Sequence, residues 1–152
     1  MAVPTLGGVH HLKFPVSDLP AAIDWFGAAL RATRVESLDH HDLDGRLFGV
    51  ILSVPGLDMP VELRRNPEMA QAMAGYDPVT FSVADEAALR DWIAHLDSVG
   101  IEHSPLLKGF AGHLITLSTP DGVVIRLYTA LPEDPATIDM NPEHTDLGTI
   151  GH

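Results

Sequence analysis

The apolar residues of this chain change their spacing in a fixed order, and that order occurs twice. From Leu12 to Val16 apolar and polar positions alternate, as on a half-buried strand. Leu12, Phe14 and Val16 face one way; His11, Lys13 and Pro15 face the other. The spacing then lengthens to that of a helix. Leu19, Ile23, Phe26 and Leu30 form one stripe of a helix predicted over Asp18–Leu30, capped by Ser17 or Asp18, with Pro20 in its first turn. Three strand-like runs follow, Thr33–Asp39, Arg46–Val54 and Met59–Arg64, the middle one entered through the hairpin sequence HHDLDG.

Laying His11–Trp25 over Pro78–Trp92, a constant offset of 67 residues, matches Phe14 with Phe81, Val16 with Val83, Asp18 with Asp85 and Asp24-Trp25 with Asp91-Trp92. The second helix is predicted over Glu86–Val99. Asp85 caps it, Leu89, Trp92, Ile93, Leu96 and Val99 stripe it, and Gly100 ends it. Strand-like runs at Glu102–Leu106, His113–Ser118 and Val123–Thr129 complete the copy, with TPDG turning into the last. Both tryptophans lie on the helices and are expected to serve packing. The reading is a single α+β domain over 1–131, two βαβββ modules in tandem. Module one spans 8–65, a mobile linker 66–76, and module two 77–131. The tail, 132–152, is polar and irregular, and is expected to be disordered or to wrap a partner subunit.

Composition narrows the class. No apolar run approaches the roughly 20 residues that cross a bilayer, and MAVPTLGG lacks the layout of a signal peptide. The absence of cysteine excludes disulfides, thiolate metal sites and a cysteine nucleophile, and fits a cytoplasmic protein. Nine basic residues stand against 21 acidic ones, a formal net charge of −12. That opposes nucleic-acid binding, which depends on neutralising phosphates, and favours encounter with cationic molecules.

The ordered set HHLKFPVSDLPAAIDWF, FSVADEAALRDWIAHLDSVGI and TPDGVVIRLY resembles the vicinal oxygen chelate superfamily over about residues 8–130. That group includes glyoxalase I, extradiol dioxygenases, fosfomycin-resistance proteins and bleomycin-binding proteins. The resemblance implies a curved mixed sheet around a cup, helices on its convex side, and a homodimer. It also implies a metal held by a His on the first strand and a Glu on the last strand of each module. Carried over residue by residue, the first pair falls on His11 and Glu62. The second falls on Pro78, which has no donor, and Arg126, a permanent cation. Strand alternation puts His11, Lys13, Glu62 and Arg126 in one concavity, with Thr80 and Tyr128 on the cup side as well.

The expected ligand-binding set is therefore His11, Lys13, Glu62, Thr80, Arg126 and Tyr128, without a metal cofactor; the alternative is a divalent metal on His11 and Glu62. Glu62 is the nearest anion expected for Arg126, and a ligand anion is the competing partner. The other histidines read differently. His40 and His41 fall in a solvated turn, His10 points away from His11, His95 lies off the helix stripe, His103 begins a strand, and His113 is a minor rim ligand. Three functions remain open. One is a metal-free protein binding a small molecule, as in antibiotic or metabolite sequestration. Another is a metal-dependent lyase, isomerase or dioxygenase using His11 and Glu62. The third is a metal-independent lyase or isomerase with His11 or Glu62 as base and Arg126 stabilising an anion; His11, Glu62 and Arg126 are its catalytic candidates.

Overall fold

In the computed structural model, which describes residues 1–146 and Gly148, the first alternating run is β1, Leu12–Val16, and the helix after it is α1, Leu19–Leu30. Asp18 caps α1 by accepting the Ala21 amide at 2.9 Å. This satisfies one of the amides that a helix start leaves unpaired. Then come β2, Thr33–Arg34; a 3₁₀ turn, Glu36–Leu38; β3, His40–His41; β4, Leu47–Ser53; and β5, Val61–Arg65. The strand expected over 33–39 is thus broken in its middle. The cause is local: Arg34 Nε donates to Asp39 Oδ1 at 3.0 Å and draws the two ends of the turn together.

The strands of module one run in the order β1-β5-β4-β2, with β3 also beside β4. β1 and β5 are parallel, and the rest antiparallel. One face of the sheet receives α1, where Phe14 and Phe26 pack at 5.3 Å between ring centres over Val50, Leu52, Val61 and Leu63, all buried. The segment 66–76, expected to be a mobile linker, contains α2, Pro67–Ala72. Asn66 caps it by accepting the Met69 amide, Pro67 is in its first turn and Ala70 is buried. Asn-Pro-Glu is a helix-start sequence, and the short length of the run hid it.

Module two repeats the plan. β6, Val79–Val83, leads to α3, Glu86–Ser98, capped by Asp85 on the Ala88 amide at 2.9 Å. β7, Leu107–Lys108, β8, His113–Ser118, and β9, Val124–Thr129, complete a sheet ordered β6-β9-β8-β7, with β6 and β9 parallel. Leu89 and Leu96 of α3 are buried, as are Ile115, Leu117, Ile125 and Leu127 of the sheet it covers. Trp25 and Trp92 are only half-buried, so the smaller stripe residues carry the core. The strand expected at 102–106 shrinks to a single bridge at His103, and β7 forms further on. Pro105 has no amide to give a ladder.

The tail also departs from expectation. It makes 3₁₀ turns at Pro135–Thr137 and Pro142–His144 and then reaches its own module. The Asp146 amide donates to Lys108 O at 2.7 Å, and the Lys108 amide donates to Asp146 Oδ2 at 2.7 Å. Leu147 and 149–152, part of the tail expected to be disordered, lie outside the described residues. The chain divides into two units at Met73/Ala74, inside the segment expected to link the modules. No helix among the described residues is long and apolar enough to cross a membrane.

Asp85→Ala leaves the first turn of α3 without its cap. The expected loss is about 1 kcal/mol, typical of such caps, with an unchanged m-value in urea unfolding.

Candidate functional site

Register fixes what each module presents on the face away from its helix. In module one Lys13 lies opposite Glu62, which lies opposite Ile51; in module two Thr80 lies opposite Arg126, which lies opposite Thr116. The sister position of Glu62 is therefore Arg126, as the repeat implied. Parity also holds, since Val123, Ile125 and Leu127 are buried toward the helix while Val124, Arg126 and Tyr128 are half-buried.

Glu62 is buried, its side chain 3% exposed, among cations of its own module. Oε1 accepts from Arg64 Nε at 2.9 Å and Nη2 at 2.7 Å. Oε2 lies 3.3 Å from His11 Nε2 and 3.5 Å from Lys13 Nζ, and His40 Nε2 approaches Oε1 at 4.0 Å. Burial is the largest influence on this carboxyl and opposes its ionisation. The Arg64 hydrogen bonds, with the charges of Arg64, Lys13 and His40, outweigh it and hold the group below the ordinary carboxylate range. Gly49 packs against the group: a Cβ there would make ordinary contacts, 3.5 Å from Glu62 Oε1 and 3.4 Å from His40 Cβ.

Two of these partners, Arg64 and His40, were outside the expected set. Arg64 is two residues after Glu62 on the same strand, so parity alone could have found it. His40 was assigned to a solvated turn. Instead it pairs with Gly49 on β4, and its Nδ1 donates to Leu38 O at 2.7 Å. His10 was expected to point away from His11, yet their Nδ1 atoms are 2.8 Å apart; it precedes β1, so strand alternation does not bind it. These rings and Glu62, with Leu38, Ile51 and Pro60, line a cavity of about 270 Å³.

In module two Arg126, its side chain 20% exposed, finds a partner the sequence did not suggest, Asp77 just before β6. Nε sits in ion-pair contact with Asp77 Oδ2 but not aligned to hydrogen-bond it, so this buried N–H lacks an acceptor among the described residues. Beside it, Thr80, Phe81, Ser82, Phe110, Ala111, Tyr128, Thr129 and Leu131 line a pocket of about 460 Å³ with no charged wall. The loop 108–113 shapes this pocket. Ala111 donates its amide to Tyr128 Oη at 3.2 Å, and His113 its amide to Thr129 Oγ1 at 3.1 Å. A Cβ at Gly109 would overlap Tyr128 Oη, so a larger residue there forces Tyr128 to move. His113, the minor rim ligand expected from the sequence, lies 3.5 Å from Glu86, and His103 pairs with Asp97 at 3.1 Å.

A resident divalent metal does not fit these donors. Both Glu62 oxygens already face cations, Arg126 is a cation, and no group of three His, Asp or Glu side chains among the described residues is arranged to hold an ion.

No protein-family model and no curated protein matches the chain in sequence. Solved structures do match in fold. The antibiotic-binding protein TnmS3 from Streptomyces sp. CB03234 shares 21% identity, covering 84% of this chain and 98% of its own, at a TM-score of 0.65. Lactoylglutathione lyase from Agrobacterium tumefaciens shares 14%, covering 84% and 96%, at 0.63. A mutant of the fosfomycin resistance protein FosX from Listeria monocytogenes, complexed with Mn(II) and 1S,2S-dihydroxypropylphosphonic acid, shares 15%, covering 85% and 97%, at 0.63. The chain thus has the fold of the vicinal oxygen chelate superfamily.

Two outcomes test this geometry. Glu62 has a depressed carboxyl, so its stabilisation is complete above its unfolded value and is lost as pH falls below about 4. Glu62→Gln, measured by urea unfolding from pH 7 to pH 3, will lower stability at neutral pH and flatten the acid limb. Gly109→Ala will lower stability by about 1–3 kcal/mol, the usual cost of overpacking, because Tyr128 must move.

Proposed function

We propose that this protein binds a small organic molecule without a metal, sequestering an antibiotic or metabolite. The observation that supports this most is the module-two pocket. At about 460 Å³ it is within the range of sites for drug-sized ligands, and it joins aromatic and aliphatic walls to the hydroxyls of Thr80, Ser82, Tyr128 and Thr129. The position where a metal-binding relative would carry a carboxylate is here Arg126, which favours the metal-free reading over the dioxygenase or metal-dependent lyase. In this reading TnmS3, an antibiotic-binding protein of the same fold, is the better functional guide than lactoylglutathione lyase. The protein acts in the cytoplasm as a homodimer, a state that light scattering checks directly.

Protein dialysed against EDTA will bind the uncharged fluorophore 2-acetylnaphthalene with the same affinity as undialysed protein. Phe110→Ala, which removes an aromatic wall of the pocket, will weaken that binding about tenfold. Loss of binding on chelation, or indifference to Phe110, refutes the proposal.

A further inference from the structure

The guanidinium of Arg126 is the one charged group in a row that is otherwise neutral. Thr80 on β6 and Thr116 on β8 stand opposite it in register, one on each side, on the face away from α3. Its closest approach to Asp77 is through Nε, and that N–H is left without a hydrogen bond. A guanidinium has a second edge, through Nη1 and Nη2, which presents paired donors suited to the two oxygens of a carboxylate. One strand step of two residues further along, about 7 Å away, the next row carries Ser82 and Tyr128, and these line the pocket together with Thr80. Thr80 thus belongs both to the row of the cation and to the wall of the apolar cavity.

We infer that the ligand of module two is an amphiphilic oxyanion: a carboxylate, or another planar or tetrahedral oxyanion head, on Arg126 between Thr80 and Thr116, with an aromatic or aliphatic body against Phe110, Tyr128 and Leu131. The inference rests on the binding reading above and gives it a substrate class. The net charge of −12 slows the approach of any anion over long range, so the selectivity resides in this local cradle and not in the overall field. Asp77 then has a definite part. It neutralises Arg126 while the site is empty and competes with the ligand's head for the same cation.

Two probes of matched shape separate the terms. 2-Naphthoate carries the head, and 2-acetylnaphthalene is its uncharged counterpart; both are titrated by fluorescence at pH 7.5 and fixed ionic strength. Naphthoate is expected to bind at least about tenfold more tightly than the ketone, as a charge-assisted bidentate contact gives. Arg126→Gln will weaken naphthoate far more than the ketone and so reduce that ratio to within about twofold. Asp77→Asn, which removes the competitor and retains the cation, will tighten naphthoate severalfold and leave the ketone alone. Because these two variants move the ratio in opposite directions, loss of folding in one cannot imitate the result. Ketone binding equal to or tighter than naphthoate in the native protein overturns the oxyanion class and leaves the pocket reading standing. If neither probe binds, both fall.

Discussion

The parallel pairing of the first and last strands is the constraint on which each module depends. β1 can lie beside β5 only if a helix returns the chain across the sheet, and the same holds for β6 and β9. That crossover buries one face against α1 or α3 and commits the other to whatever polar residues the register brings level. In module one it sets Lys13 beside Glu62, and in module two Thr80 beside Arg126. A slip of one residue would send these charges into the core and expose Leu63 and Ile125. The apolar faces therefore hold the functional faces in register.

From one duplicated plan the two modules reach opposite electrostatic outcomes. Module one buries an anion and surrounds it with Arg64, Lys13, His11 and His40, so its carboxylate stays ionised despite burial. Module two half-buries a cation and gives it Asp77 in a contact that leaves hydrogen-bonding capacity unused. The first arrangement is saturated and structural in character, and the second is unsaturated. A buried donor without an acceptor is costly, of the order of 1–3 kcal/mol.

Gly109 lets the 108–113 loop close on the Tyr128 hydroxyl, because the backbone there must approach a side chain closely. The tail acts on the same loop from the other end, since Asp146 holds both the amide and the carbonyl of Lys108. A segment rich in proline and charge becomes ordered there because two short hydrogen bonds give it an anchor.

Much of this was legible in the chain. The offset between Phe14 and Phe81, the Asp18 and Asp85 caps and the alternation in each strand determined the tandem βαβββ plan, the two helices and the equivalence of Glu62 with Arg126. These are properties of period and local hydrogen bonding, which act over a few residues. What the chain could not show was which charges meet. That Glu62 would take His40 and that Arg126 would take Asp77 depend on side-chain reach between strands, and that His10 would lean on His11 depends on the backbone just before β1. The docked tail likewise depends on a contact made elsewhere in its module. Period fixes faces; only the folded sheet brings separate strands within a few ångströms, where charge and hydrogen bonding decide the site.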